Sequence, residues 1–184
     1  MSNTNSNGKI KVATVWLAGC SGCHMSFLDI DERILELAKM VDIVHSPITD
    51  SKEIPPVDVG IVEGGICNEH DLHVLKDLRA KAKVLVAMGD CAGFSSVPML
   101  RNQFEPQECL DRAYVAGEST ALGQVPEDPE LPKLTDKMRP IHEFVKVDAH
   151  VPGCPPSAEA IWAALTALLS GKPAEFVPNV SHYD

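Results

Sequence analysis

The stretch Lys9-Ile10-Lys11-Val12-Ala13-Thr14-Val15-Trp16-Leu17-Ala18-Gly19-Cys20-Ser21-Gly22-Cys23 begins β-branched and apolar, then breaks into a glycine-bracketed loop carrying two cysteines. Its first half, Lys9 to Trp16, predicts a buried strand. Beyond the loop, Phe27, Ile30, Ile34, Leu37 and Ala38 recur at helical spacing with Asp29, Asp31, Glu32 and Lys39 between them, which predicts an amphipathic helix over 26–40. Further strands are expected at 41–48, closed near Pro47, and at 57–62, stopped by Gly64-Gly65. Asn68 is placed to cap a helix over 69–82, acidic at its start and basic at Lys76, Arg79 and Lys81, as the helix dipole favours. A fourth strand at 83–88, a fifth at 144–151 and a helix from the Ser157 cap to Leu169 complete the pattern. Strands alternating with helices predict an α/β fold: a doubly wound parallel sheet, flavodoxin-like in strand order. In such sheets ligands bind beyond the carboxyl ends of the strands.

The stretch 103–140 departs from this regularity. Pro106, Pro126, Pro129, Pro132 and Pro140 interrupt it, and only 108–116 reads as helical. A loop of this length inside a compact domain either has a job, such as wrapping a partner, or is a solvated excursion. The expected organisation is a single flavodoxin-like domain over 9–170 with this long Pro-rich excursion, preceded by a disordered tail at 1–8 and followed by a C-terminal tail at 171–184.

With 184 residues and 45% hydrophobic side chains, the chain can bury a core without disulfides or metals to support it. A net charge of −10 with no Lys/Arg cluster excludes a general nucleic-acid binder. No apolar run reaches the roughly 18 to 20 residues of a membrane span. Residues 1–8 contain neither an apolar leader core nor an Arg pair, so a cytoplasmic protein is expected. In a reducing compartment its six cysteines are buried hydrophobes, catalytic thiols or metal ligands rather than disulfides.

Their positions are informative. Cys20 and Cys23 follow the first predicted strand, Cys91 the fourth and Cys154 the fifth, so all four fall at one sheet edge. Cysteines used as core filler belong within strands or on helix faces, so thiols at strand exits point to a shared ligand. Cys67, opening the helix after Gly64-Gly65-Ile66, reads as a bystander, and Cys109 as filler or a plain surface thiol. Cys20-x-x-Cys23 alone fits a redox dithiol, half a zinc site or half an iron–sulfur site. Structural zinc usually draws on two local pairs, whereas Cys91 in Gly89-Asp90-Cys91-Ala92-Gly93 and Cys154 in Pro152-Gly153-Cys154-Pro155-Pro156 stand singly. Single ligands flanked by Gly and Pro favour a bulkier 4Fe-4S cluster held by four thiolates, with no iron left open for catalysis and electron transfer as its role. A thioredoxin-like dithiol oxidoreductase and a structural zinc module are the competing classes; neither accounts for Cys91 and Cys154.

The segments Leu17 to His24, Val62-Glu63-Gly64-Gly65, Gly89-Asp90-Cys91-Ala92 and Pro152 to Pro156 together resemble the small subunit of nickel–iron hydrogenases. The run from Thr14 to Asp29 is similar to the soluble, bidirectional, NAD-reducing members. That resemblance implies that Cys20, Cys23, Cys91 and Cys154 ligate the cluster next to a nickel–iron centre on a partner large subunit. It also implies a hetero-oligomer in which further iron–sulfur clusters, FMN and NAD belong to diaphorase partner subunits. No cysteine follows Cys154, so one cluster is expected on this chain. The related quinone-reductase subunit of respiratory complex I has adjacent cysteines where this chain has Cys20-x-x-Cys23, which ranks that alternative lower.

Other residues near the same edge carry paired readings. Glu63 is a candidate proton relay or a strand-end residue capping Gly64-Gly65. His24 either hydrogen-bonds the cluster or a partner, or is solvated. Asp90 places negative charge beside the cluster or forms a turn. Trp16, Met25, Met88 and Met99 read as core, some of them facing the large subunit. There is no Gly-x-Gly-x-x-Gly after the first strand, so direct dinucleotide binding is not expected. Ser95-Ser96 offers only a weak flavin phosphate site.

Overall fold

The computed structural model describes residues 8–171; the expected tails at 1–8 and 171–184 lie almost wholly outside them. The strands are β1 (Ile10–Trp16), β2 (Val41–His45), β3 (Val57–Glu63), β4 (Ile66–Asn68), β5 (Ala82–Met88), β6 (Leu134–Arg139) and β7 (Ala149–Val151). The helices are α1 (Gly22–Leu28), α2 (Arg33–Met40), α3 (Glu69–Lys81), α4 (Asp90–Phe94), α5 (Pro106–Tyr114) and α6 (Ala158–Leu169). Five strands form a parallel sheet in the order β2-β1-β3-β5-β7, while β4 and β6 form a separate antiparallel ribbon. With the ribbon set aside, the order is the flavodoxin-like one expected from the sequence.

Both faces of the sheet are covered, which is why its strands read as nearly continuous apolar runs. Val12, Ile61 and Val86 face α1, α2 and α6, packing with Ile30, Leu37, Ile161 and Leu165. Their neighbours Ala13, Val62 and Ala87 face the other way, onto Leu75 and Leu78 of α3 and Ile141. Leu75, Leu78 and Leu85 are fully buried, each side chain contributing about 1.5–3 kcal/mol of transfer free energy. Asn68 and Ser157 cap α3 and α6 as predicted, their side chains accepting from Asp71 N at 2.9 Å and Ala160 N at 3.2 Å. The register pairs Trp16 with Glu63, Glu63 with Met88 and Met88 with Val151. Four neighbouring strands therefore end level, and everything that follows them emerges at one edge.

Four expectations need correction. The predicted helix over 26–40 is two helices, because the chain turns between Leu28 and Arg33 with Asp31 in the left-handed region at φ 54°. Ile30, 1% exposed, continues the apolar face through the break, so periodicity alone does not reveal it. The fifth strand is only Ala149–Val151; Phe144, Val145 and Val147 are apolar because they pack against the α3-side core, not because they pair. The second strand ends at His45. A 3-10 turn at Val97–Gln103 leads into the Pro-rich excursion, which opens with α5, its start closed by a reciprocal Glu105/Glu108 capping box. The chain then returns as β6 to pair with β4, and Asn102 exchanges side-chain hydrogen bonds with the Met138 backbone at 2.7 and 2.8 Å. Cys67 accordingly lies on β4 rather than at a helix start.

Candidate metal centre

The level strand ends bring the four expected cysteines to one edge. Cys20 and Cys23 follow β1, Cys91 sits in α4 directly after β5, and Cys154 follows β7. Cys23 and Cys91 are buried, Cys20 and Cys154 exposed. Backbone hydrogen bonds stitch the loops together. Leu17 N donates to Glu63 O at 2.7 Å, and Ala18 and Gly65 exchange bonds at 3.1 and 3.0 Å, tying the first loop to the end of β3. Gly89 N donates to Val151 O at 2.8 Å and Asp90 N to Gly153 O at 3.0 Å, tying the Cys91 loop to the Cys154 loop. Asp90 Oδ1 accepts from Gly153 N at 2.7 Å, so this carboxylate pins the Cys154 loop across the gap. Ser26 Oγ donates to Pro156 O at 2.5 Å and holds α1 against the same loop.

Two glycines are required by contact. At Gly64, φ is +83° and a Cβ would press on the Leu17–Ala18 backbone at 2.8 Å. At Gly89, φ is +84° and a Cβ would collide with Cys23 Sγ. Gly64 lets the loop after β1 lie against the end of β3, and Gly89 leaves room for the Cys23 thiol.

The thiols feel one another. Burial pushes Cys23 well above the ordinary thiol range, and negative charge on Glu63, Cys91, Cys20 and Cys154 adds to it. Burial likewise pushes Cys91 up to about 11, followed by Cys154, Cys20, Glu63 and Asp90. No Lys or Arg acts on either thiol. Cys23 and Cys91, two buried thiols that resist ionising, are stabilised as thiolates by a cationic group, since a coordinating thiol is deprotonated by the metal it binds. Among the described residues, no three His, Cys, Asp or Glu side chains are placed to hold a metal ion as they stand. Thiolates ligate zinc and iron–sulfur clusters alike, so four cysteines at one edge are a donor set that suits either. Cys67 and Cys109 are not among the groups acting on Cys23 or Cys91; Cys67 instead lies near Arg101, Asp71 and Cys109.

Glu63 is 1% exposed and accepts from Cys23 N at 3.2 Å and His24 N at 2.9 Å, and its Oε2 also meets His24 Nδ1. It holds the first turn of α1 rather than the Gly64-Gly65 turn. Burial would raise its carboxyl, but the hydrogen bonds from the His24 ring and from the His24 and Cys23 N–H groups outweigh it and set it below the usual range. His24 is 4% exposed, so the solvated reading fails, and its ring stacks edge-on against Trp16 at 5.4 Å. Met88 is core as expected, whereas Trp16, Met25 and Met99 are 39%, 46% and 47% exposed. The pairing of His24 with Glu63 is not legible in the sequence, because the two are 39 residues apart; the only cue is that both flank strand exits.

The family model of the NADH ubiquinone oxidoreductase 20 kDa subunit matches residues 20–168, from the first of these cysteines to the end of α6. The chain belongs to that family. It is 42% identical over 184 residues to the delta subunit of the NAD-reducing hydrogenase HoxS of Cupriavidus necator, covering 98% of this chain and 88% of that one. Over 165 residues it is 42% identical to a subunit of the F420-non-reducing hydrogenase vhu of Methanocaldococcus jannaschii, covering 89% of this chain but 57% of that one. Its fold superimposes on a crystal structure of an NAD+-reducing NiFe-hydrogenase in the H2-reduced state with a TM-score of 0.92 and 46% identity, covering 96% of this chain and 99% of that one. Within the family, the chain is thus similar to the small subunits of nickel–iron hydrogenases, as the motifs around its cysteines implied. Among the described residues, no helix is long and apolar enough to cross a membrane.

Proposed function

We propose that this chain is the electron-transfer small subunit of a cytoplasmic NAD-reducing nickel–iron hydrogenase, and that Cys20, Cys23, Cys91 and Cys154 hold one 4Fe-4S cluster. The observation that carries the reading is the convergence of these four thiols at the level ends of β1, β5 and β7, in loops bonded to one another. When bound, such a cluster takes up and releases single electrons, linking hydrogen oxidation at a large subunit's nickel–iron centre to the iron–sulfur clusters, FMN and NAD of diaphorase subunits.

The chain's own residues fix the loops that carry the four cysteines and bury two of them. Cys23 and Cys91 are buried, and Gly22 N approaches Cys20 Sγ at 3.4 Å, the kind of N–H contact that stabilises negative charge on sulfur. Asp90 and Ser26 fix the Cys154 loop, and Glu63 fixes the Cys20–Cys23 loop through Cys23 N and His24 N. Glu63 and His24 form a buried acid–base pair beside Cys23, the placement that a proton relay at the subunit contact would use. Met25 and Phe94, 46% and 52% exposed, stand on the same short helices as Cys23 and Cys91 and supply apolar surface for the large subunit beside the cluster.

The complex I-like reading is ranked lower because of the Cys20-x-x-Cys23 spacing and the 42% identity to a hydrogenase subunit over nearly the whole chain. The test is replacement of each of the four cysteines by Ser in the assembled complex. Hydrogen-dependent NAD+ reduction should be lost, while NADH-dependent dye reduction by the diaphorase is retained. Cys67→Ser and Cys109→Ser should leave hydrogen-dependent NAD+ reduction at the wild-type level. Retained hydrogen-dependent reduction in Cys91→Ser or Cys154→Ser would defeat the proposal.

A further inference from the structure

Between α6 and the sheet lies a cavity of about 270 Å³. Its wall is almost wholly apolar, built from residues such as Phe27, Ile61, Val86, Met88, Ile161 and Leu165. Two polar side chains deep in the molecule interrupt it: Thr14 from β1, 7% exposed, and His24 from α1, 4% exposed. Each has a buried atom without a hydrogen-bond partner, Thr14 Oγ1 and His24 Nε2. The other ring nitrogen of His24 is engaged by the Glu63 carboxylate. A carboxylate accepts and does not donate, so Nδ1 carries a proton, and Nε2 on the far side of the ring is left without a partner. Leaving a buried donor or acceptor unmatched is unfavourable, so a wall with two such atoms is built for a polar visitor.

We propose that this cavity binds a small neutral organic molecule bearing a hydroxyl group. Its hydroxyl, which both donates and accepts, bonds His24 Nε2 and the Thr14 hydroxyl, and its carbon body lies against Phe27, Ile61 and Leu165. One hydroxyl satisfies both orphaned atoms at once, the donor of one bond and the acceptor of the other. An ionic ligand is excluded because no Lys, Arg, Asp or Glu lines the wall, so an ion would lose its hydration without a counter-charge. Size permits one ring, since an apolar cavity of about 150 Å³ already takes up benzene. Leu28, Ile43 and Ile48, exposed by 41%, 40% and 65%, rim the cavity and give an apolar ligand a route in. Water offers the same hydroxyl chemistry but leaves the apolar body of the cavity unfilled.

The probes are phenol and benzene, titrated calorimetrically into the assembled, cofactor-loaded protein. An apolar cavity without polar partners favours benzene, because phenol must shed more hydration. The proposal expects saturable phenol binding that is tighter than benzene binding. Thr14→Val, which keeps the side-chain shape and removes the hydroxyl, should weaken phenol about threefold to tenfold and leave benzene unchanged. Ala164→Leu, which fills the cavity from α6, should abolish both. Benzene binding as tight as phenol, or phenol binding indifferent to Thr14→Val, overturns it. A crystal soaked in phenol keeps the test independent of how well the variants fold: a ring between Thr14 and His24 supports the proposal, and water alone there refutes it.

Discussion

Gly89→Ala isolates the geometry on which the thiol cluster depends. Gly89 has φ 84° and ψ 166°, a region open almost only to glycine, and forcing alanine into it costs about 1–3 kcal/mol. The new methyl group would also fall on Cys23 Sγ, and relieving such an overlap in a packed interior costs about another 1–3 kcal/mol. The sum, about 2–6 kcal/mol, is a large part of the roughly 5–15 kcal/mol that holds a domain folded. The only way to avoid part of it is to push the Cys23 thiol away from its place, which spoils the site. Gly93→Ala is the control: it lies in α4 with nothing nearer than His150 Nδ1 at 3.9 Å, so alanine there should be neutral or stabilise by about 0.4–1 kcal/mol. Urea unfolding and iron content of the anaerobically purified chain read both effects. Gly89→Ala should lose most of its iron and lose stability by the stated amount, while Gly93→Ala keeps both. A Gly89→Ala protein with wild-type iron and stability would refute the reasoning that this contact shapes the site.

Two further substitutions probe the carboxylates. In Glu63→Gln a single carbonyl oxygen replaces two carboxylate oxygens, so at least one of Cys23 N, His24 N and His24 Nδ1 faces the amide NH2, at a cost of about 1–3 kcal/mol in unfolding measurements. The same variant tests the relay: wild-type hydrogen turnover and proton exchange would leave Glu63 a positioning residue only. Asp148 accepts from Arg79 Nη1 at 2.6 Å and Leu85 N at 2.9 Å. Burial opposes its ionisation, but these bonds from Leu85 and Arg79 outweigh it and lower its carboxyl below the usual range. Its stabilising effect is therefore complete above about pH 5, where the unfolded carboxyl is almost fully ionised, and fades as pH falls through the unfolded and then the lower folded value. Asp148→Asn should lower stability by roughly 1–2 kcal/mol at pH 7, and urea titrations should show that gap closing below about pH 5.

The sheet and the cysteine edge are legible because both are written locally. The runs 10–16, 57–63 and 82–88 are apolar over lengths that suit buried strands, and Asn68 and Ser157 mark helix starts by their own side chains. What is not legible depends on partners distant in sequence. The β4–β6 ribbon pairs Ile66 with Arg139, and neither short segment declares itself without the other. The break at Asp31 is invisible because Ile30 continues the apolar stripe that an unbroken helix would also show. Phe144, Val145 and Val147 read as strand because apolar packing and strand pairing leave the same trace in sequence. His24 stands beside a surface loop in the sequence, and only the return of β3 to the same level brings Glu63 to it and buries both.

The central claim is that four thiols on this chain hold one iron–sulfur cluster, and metal analysis of the anaerobically purified full chain tests it most directly. The expected product is a brown protein with about four irons and four acid-labile sulfides per chain, falling together when Cys20, Cys23, Cys91 or Cys154 is replaced. A colourless protein containing about one zinc per chain, or no metal and a freely titrating Cys20–Cys23 dithiol, would contradict it.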